Sequence, residues 1–285
     1  RLQMQMSSLE DSIGQDNPVR FIDAFVEQLD LSKLGFEVKT LKNEGRPSFE
    51  SATLLRIYLY GYLNGLRSSR RLETECCRNI ELQWLTLGLK PNYHTIADFR
   101  KDNPKALKNV FKLFVSFLKD IDLVSGQVVA IDGTKSRAHN SKKNNYNQKK
   151  IERHLAYIEE KSTEYINLLE QNDSQDDLIK VSDIQEKINR LKKNKIKYEI
   201  LQEQLLTTNE PQISTTDPDS RALLVHGQVV EVCYNVQTAV DEKHKLVIAT
   251  HTINRNDRNA LTDIALEAKA NLAADNFIAI LDKGY

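Results

Sequence analysis

Apolar side chains recur at helical spacing through the first 120 residues. Asp16-Asn17-Pro18 supplies a capping side chain followed by proline at the first helical position, and Ile22, Phe25, Val26 and Leu29 then share one face. Gly35 closes that element or its connection, and Gly45-Arg46-Pro47-Ser48 is a break. Leu54, Leu55, Ile57, Tyr58, Leu59, Tyr62 and Leu63 are apolar nearly all round, which predicts a buried helix. Short helical pieces follow from Arg71 to Leu87, with Trp84 in their core, until Pro91-Asn92 interrupts. Asn103-Pro104 repeats the cap-then-proline signal ahead of Leu107, Val110, Phe111, Phe114 and Leu118. Residues 1–15 read as a polar lead-in and residues 16–120 as an all-helical domain.

The pattern changes at Gln127-Val128-Val129-Ala130-Ile131, short, apolar and β-branched, ending in Asp132-Gly133: a buried strand meeting a turn. Residues 140–215 return to charged helix. Ile151, Leu155, Ile158 and Tyr165, then Ile184, Ile188, Leu191, Tyr198 and Leu205, keep coiled-coil-like spacing around a hairpin tip at Asn172-Asp173-Ser174. A loop at residues 216–220 leads to strand-like runs, Val229 to Val240 and Leu246 to Thr252, joined by a turn at residues 241–244. Asp257 is expected to cap a helix whose apolar face is Leu261, Ile264, Ala265, Ala268 and Leu272. Phe277 to Leu281 is a second fully apolar strand, ending in Asp282.

Without the helical insertion the order is strand, strand, strand, helix, strand. A right-handed crossover would lay the last strand parallel beside the first, about 4.8 Å away. Asp132 and Asp282 would then project from adjacent strands at one edge. Two carboxylates so placed repel unless a cation lies between them. Magnesium takes a few carboxylate oxygens together with water and phosphate oxygens, so a phosphodiester is the implied substrate. Taken singly, each aspartate has a plainer reading: Asp-Gly most often makes a turn, and a terminal Asp solvates a strand end.

Charge and composition narrow the field. The 285 residues carry 40 basic and 40 acidic side chains, a net charge of zero, which excludes simple coating of nucleic acid. DNA contact must come from local patches. Lys135, Arg137, Lys142, Lys143, Lys149, Lys150 and Arg153 form one, opposed only by Glu152, and Lys187, Arg190, Lys192, Lys193, Lys195 and Lys197 form another. Such runs are usually solvated helix faces; beside a metal site they are what a DNA backbone needs. Ser69-Arg70-Arg71 and the segment Tyr93 to Arg100 could serve a helix-turn-helix-like reader, although packing helices account for them equally well. Three cysteines, two of them adjacent, give neither a disulfide framework nor zinc-ligand spacing. No apolar stretch approaches the roughly 18 residues of a membrane span. Reduced cytoplasm is the expected compartment.

Several stretches together resemble one family: D-N-P-V-R-F-I-D-A-F-V (16–26), R-P-S-F (46–49), H-T-I-A-D-F-R-K (94–101), A-I-D-G-T-K (130–135), T-D-P-D-S-R (216–221), Y-N-V-Q-T-A-V-D (234–241) and L-D-K-G-Y (281–285). In this order they resemble DDE-type insertion-sequence transposases, with a helical N-terminal DNA-binding domain and an RNase H-like catalytic domain. The resemblance implies an α+β chain in which residues 121–285 form a partial catalytic domain interrupted at 140–215. It implies that Asp132 and Asp282 are the first two catalytic, metal-binding acids. A third, a Glu on a helix further downstream, would fall beyond Tyr285. The chain starts at Arg1 instead of Met and stops just after an apolar run, so it reads as a fragment. The implied activity is Mg²⁺-dependent cleavage and strand transfer at element ends. The implied partners are double-stranded DNA and further copies of the chain, with no membrane and a cytoplasmic, nucleoid-associated location. The alternative is a catalytically inactive remnant that only binds DNA or its own relatives.

Overall fold

The computed structural model describes residues 8–36, 48–172, 178–225 and 229–285. The chain divides into two compact units, Arg1–Phe117 and Leu118–Tyr285.

The first unit is helical: α1 Pro18–Glu27, α2 Ser51–Leu63, α3 Ser69–Arg78, α4 Ile80–Leu85, α5 Tyr93–Asp102 and most of α6 Pro104–Asp120. Asparagines start three of these helices. The Asn17 side chain accepts from the Val19 amide at 3.0 Å, Asn79 from Glu81 at 2.9 Å, and Asn92 from Thr95 at 2.8 Å. Each satisfies an amide that the first helical turn leaves without a partner. Leu55, Ile57, Leu72, Cys76, Leu82 and Ile96 form the buried core.

Some details differ from the pattern-based reading. In α2, Tyr62 and Leu63 are exposed, because the helix presents its last turn to solvent. Trp84 lies at the rim of the core. Its indole nitrogen donates to Glu10 at 2.7 Å, and the Arg20 guanidinium sits 5.3 Å from its ring. α6 starts at Pro104 as expected, but the Asn103 side chain turns back to α5, donating to the Phe99 carbonyl at 2.8 Å. Within the expected lead-in, Ile13 is buried in the helical core. The break at residues 45–47 lies outside the described residues.

The second unit is built on a mixed five-stranded sheet. Its strands are β1 Val128–Arg137, β4 Arg221–Val225, β5 Val229–Asp241, β6 Val247–Ile253 and β7 Ile278–Ile280. The strand order is β4-β5-β1-β7, with β6 also paired to β5. β1, β4 and β6 run antiparallel to β5, whereas β7 runs parallel to β1. α9 Leu261–Leu272 provides the crossover, packing against β6 and β5 through Ile264, Ala268 and Leu272. The molecule is therefore α+β, with a helical region ahead of a mixed sheet.

The insertion is a helical hairpin of α7 Gln148–Asn172 and α8 Leu178–Thr208. Two short antiparallel strands, β2 Asn145–Tyr146 and β3 Ile213–Ser214, close its base. Ile151, Leu201, Leu205 and Tyr146 are buried there, and the His154 and Tyr198 rings stack 4.7 Å apart. Most of the expected tip lies outside the described residues.

Four expectations for this unit need correction. Asp132-Gly133 is no turn: β1 continues through it to Arg137, with Asp132 opposite Thr238 and Gly133 opposite Gln237. β4 follows the 216–220 loop directly and was not anticipated; five residues beginning with Arg are too few to show an alternating pattern. Asp257 does not cap α9, since Ala260 occupies that position without a side-chain bond. β7 is paired as expected but exposed instead of buried, with Ile278 at 66% and Ile280 at 57%. It is an edge strand, and no described residue covers that face.

Candidate active site

β1 alternates between two environments. Val129 and Ile131 are buried, while Ala130, Asp132, Thr134 and Ser136 are exposed. That period of two is the ordinary consequence of a pleated strand covered on one face. The parallel register with β7 pairs Val128 with Ile278 and Ala130 with Ile280. The ladder ends there, with Asp132 two residues further along β1 and Asp282 two residues past the end of β7.

Each of these aspartates uses one oxygen to fix its own backbone. Asp132 Oδ1 accepts from the Gly133 amide, and Asp282 Oδ1 from the Gly284 amide, both at 2.7 Å. Both side chains are exposed, and Oδ2 of each has no hydrogen bond among the described residues. Two oriented carboxylates with free oxygens are a donor set of the kind Mg²⁺ takes, its remaining positions going to water or phosphate. Among the described residues, no cluster of three or more His, Cys, Asp or Glu side chains could hold a metal ion.

Beneath Asp132, on the covered face, lies a polar cluster that the sequence pattern did not reveal. Asp257 Oδ1 accepts from Asn235 Nδ2 and from Gln237 Nε2, each at 2.8 Å. Lys135 Nζ donates to Asp257 Oδ2 at 3.0 Å and Oδ1 at 3.2 Å. Asn235 and Gln237 are fully buried. Burial opposes ionisation of Asp257, but the bonds from Asn235, Lys135 and Gln237 outweigh it and hold the carboxyl below its usual range. The Oδ1 of Asn235 is buried without a partner. Gly133 lies against the cluster: a β-carbon there would stand 2.2 Å from Asp257 Oδ1 and 2.4 Å from Gln237 Nε2. The available signal was Asn235-Val236-Gln237, two amides on the strand face that otherwise carries Cys233 and Ala239.

Tyr285 links this cluster to the Asp282 turn. Its hydroxyl donates to Gln237 Oε1, so the Gln237 amide joins Tyr285 on one side to Asp257 on the other. Burial pushes the Tyr285 phenol up, and the charges of Asp257, Asp132 and Asp282 push it further. One hydroxyl thus lies in the joint field of three carboxylates.

The basic residues separate into two groups. Lys135 is committed to Asp257, and Arg137 pairs with Glu231. Lys150 donates to the carbonyls of Lys142 at 3.1 Å, Lys143 at 2.8 Å and Asn145 at 2.8 Å, and lies over the Tyr146 ring. Lys142, Lys143 and Lys149 are exposed and make no ion pair among the described residues. In the helical unit, Arg67, Arg70 and Arg71 are exposed, and the Arg70 guanidinium lies 4.3 Å from the centre of the Tyr93 ring. Ile96 and Phe99 of the segment Tyr93 to Arg100 are buried, so packing accounts for much of that motif.

The helical region has a counterpart among known families. Residues 7–102 match the transposase domain family (DUF772), a match that ends with the last residue of α5 and supports a transposase role for the chain. Neither the curated proteins nor the solved structures contain a significant match. Among the described residues, no helix is long and apolar enough to cross a membrane.

Proposed function

We propose that this chain is the DNA-binding region and part of an RNase H-like catalytic domain of a DDE-type transposase, acting on DNA phosphodiesters at element ends. The observation that supports the reading is the parallel pairing of β1 with β7, which ends two residues before Asp132 on one strand and two residues before Asp282 on the other. Asp132 and Asp282 would together hold Mg²⁺. When bound, such an ion stabilises charge on the attacking and leaving oxygens of an in-line displacement. The chain's own contribution is orientation. Each aspartate has one oxygen fixed by a backbone amide, so the other is presented in a set direction. Lys142, Lys143 and Lys149 would contact backbone phosphates of double-stranded DNA. The transposase domain match over residues 7–102 supports the substrate class. Further copies of the chain are the expected partners on DNA.

The test uses duplexes carrying the ends of the encoding element, in Mg²⁺. Asp132→Asn, placed in the complete polypeptide, is expected to abolish strand cleavage while end binding in a gel-shift assay stays near wild type. Normal cleavage by that variant overturns the assignment. In a second reading the polypeptide binds DNA, or pairs with related chains, without cutting it. End binding without cleavage in Mg²⁺ or Mn²⁺ by the wild-type chain would establish it.

A further inference from the structure

We infer that Asp257 is a positioning residue: the partly buried Lys135–Asp257–Gln237–Tyr285 chain on the covered face of the sheet sets the separation of Asp132 and Asp282. The inference rests on the proposed metal-binding role of those two aspartates and adds the device that sets their separation.

Three observations carry it. First, the cluster is joined to β1, which bears Asp132, and to the segment following β7, which bears Asp282. Lys135 is three residues along β1 from Asp132, and Tyr285 is three residues beyond Asp282. Second, the β1–β7 ladder stops at Ala130 and Ile280, short of both aspartates, so backbone pairing does not itself fix their spacing. The connection beyond that point runs through side chains: Lys135 to Asp257, Asp257 to Gln237, and Gln237 to Tyr285. Third, β1 approaches the cluster so closely that a β-carbon at residue 133 would displace the side-chain ends of Asp257, Gln237 and Asn235. Movement of Asp257 would therefore be transmitted to the residue next to Asp132.

Charge explains why the hub is a carboxylate. Lys135, 13% exposed in its side chain, needs a counter-ion, and the amide donors of Asn235 and Gln237 need an acceptor. Asp257 meets all three demands at once. An amide at this position would leave the lysine charge unpaired, and buried polar networks tolerate a missing member poorly. Outer partners that orient metal ligands are commonly worth about 10- to 100-fold in metal affinity.

The experiment measures Mn²⁺ binding to the full chain by the loss of its free-ion electron paramagnetic resonance signal, alongside the thermal unfolding midpoint. Asp132→Asn serves as the reference that removes a ligand. Tyr285→Phe deletes only the hydroxyl that joins the Asp282 turn to Gln237, and is expected to weaken Mn²⁺ binding by roughly tenfold with little change in midpoint. Asp257→Asn is expected to weaken it at least as much, and Asp257→Glu to restore part of the loss. Should Asp257→Asn fail to fold, Tyr285→Phe decides alone. Wild-type Mn²⁺ affinity in Tyr285→Phe, with Asp132→Asn defective, overturns this inference and leaves the proposed function standing. Wild-type affinity in Asp132→Asn overturns both.

Discussion

The carboxylate of Asp257 stands 2.2 Å from the point where a β-carbon on Gly133 would sit. Real β-carbons do not approach an oxygen that closely, so a side chain at this position would have to push the hydrogen-bonded ends of Asp257, Gln237 and Asn235 aside. Gly133→Ala should therefore destabilise the sheet unit by about 1–3 kcal/mol through overpacking. For a unit of this size that is a fall in midpoint of roughly 2–4 °C per kcal/mol. The loss should be smaller when Gly133→Ala is placed in an Asp257→Ala background, because the nearest obstructing atom is gone. A double-mutant cycle on thermal melts measures that coupling. Equal losses in the two backgrounds would mean that the contact is not what excludes a side chain.

The division among the basic residues predicts different salt responses. A lysine that contacts a phosphate contributes about 0.9 to the slope of log affinity against log salt concentration. Lys142→Ala, Lys143→Ala and Lys149→Ala should each reduce the slope of duplex binding by close to that amount. Arg137→Ala should leave it unchanged, since Arg137 is already paired with Glu231. Lys150→Ala should weaken binding by another route, by releasing the carbonyls of residues 142, 143 and 145 that its ammonium gathers. Fluorescence anisotropy across a salt series distinguishes these outcomes. A full-sized drop in slope for Arg137→Ala would contradict the division.

The helical hairpin makes a third test. Ile151 is fully buried at its base, beside Leu201, Leu205 and Tyr146, under the stacked His154 and Tyr198 rings. Ile151→Ala should cost about 2–5 kcal/mol locally, the usual range for a buried isoleucine truncated to alanine. Because the hairpin joins the sheet unit through the short β2–β3 pair, the loss should be confined to it. Hydrogen exchange should speed up in the amides of α7 and α8 while those of β1 and β5 keep their protection. Uniform loss of protection would show that hairpin and sheet open together.

What the sequence made legible was the part governed by local periodicity. The helix starts at Pro18 and Pro104 follow from a polar residue set before a proline, and the β1–β7 pairing follows from two apolar runs separated by a crossover helix. Asp132 and Asp282 could be singled out because each ends an apolar run. Asp257 could not. In the chain it precedes a helix by four residues, which looks like a cap, and its real partners lie 20, 22 and 122 residues away. Gly133 was misread for a related reason. Asp-Gly is a turn signal, and only the tertiary approach of Asp257 shows that a side chain here would have to push the cluster aside. β7 was read as buried from its composition, but burial depends on what covers a strand, and its own residues do not encode that.

Asp241 links the start of β1 to the end of β5 and should govern the acid limb of stability. It is fully buried at the end of β5. Its Oδ1 accepts from the Gly126 amide at 2.8 Å and the Ser125 hydroxyl at 3.0 Å, and its Oδ2 from the amides of Lys243 at 3.0 Å and Ser125 at 3.2 Å. Burial raises the cost of its charge, but these bonds outweigh burial and hold the carboxyl below its usual range. The sign of the linkage follows. The unfolded chain takes up the proton first, near pH 3.9, so the stabilisation is complete above that value and is lost as pH falls through the folded-state pKa. Asp241→Asn cannot accept from all of these donors with one oxygen. It should be less stable than wild type at neutral pH, and the gap between the two should narrow as the pH drops below about 4. Urea unfolding at a series of pH values measures this. A gap that stays constant from neutral pH down to pH 3 would mean that the charge on Asp241 contributes nothing.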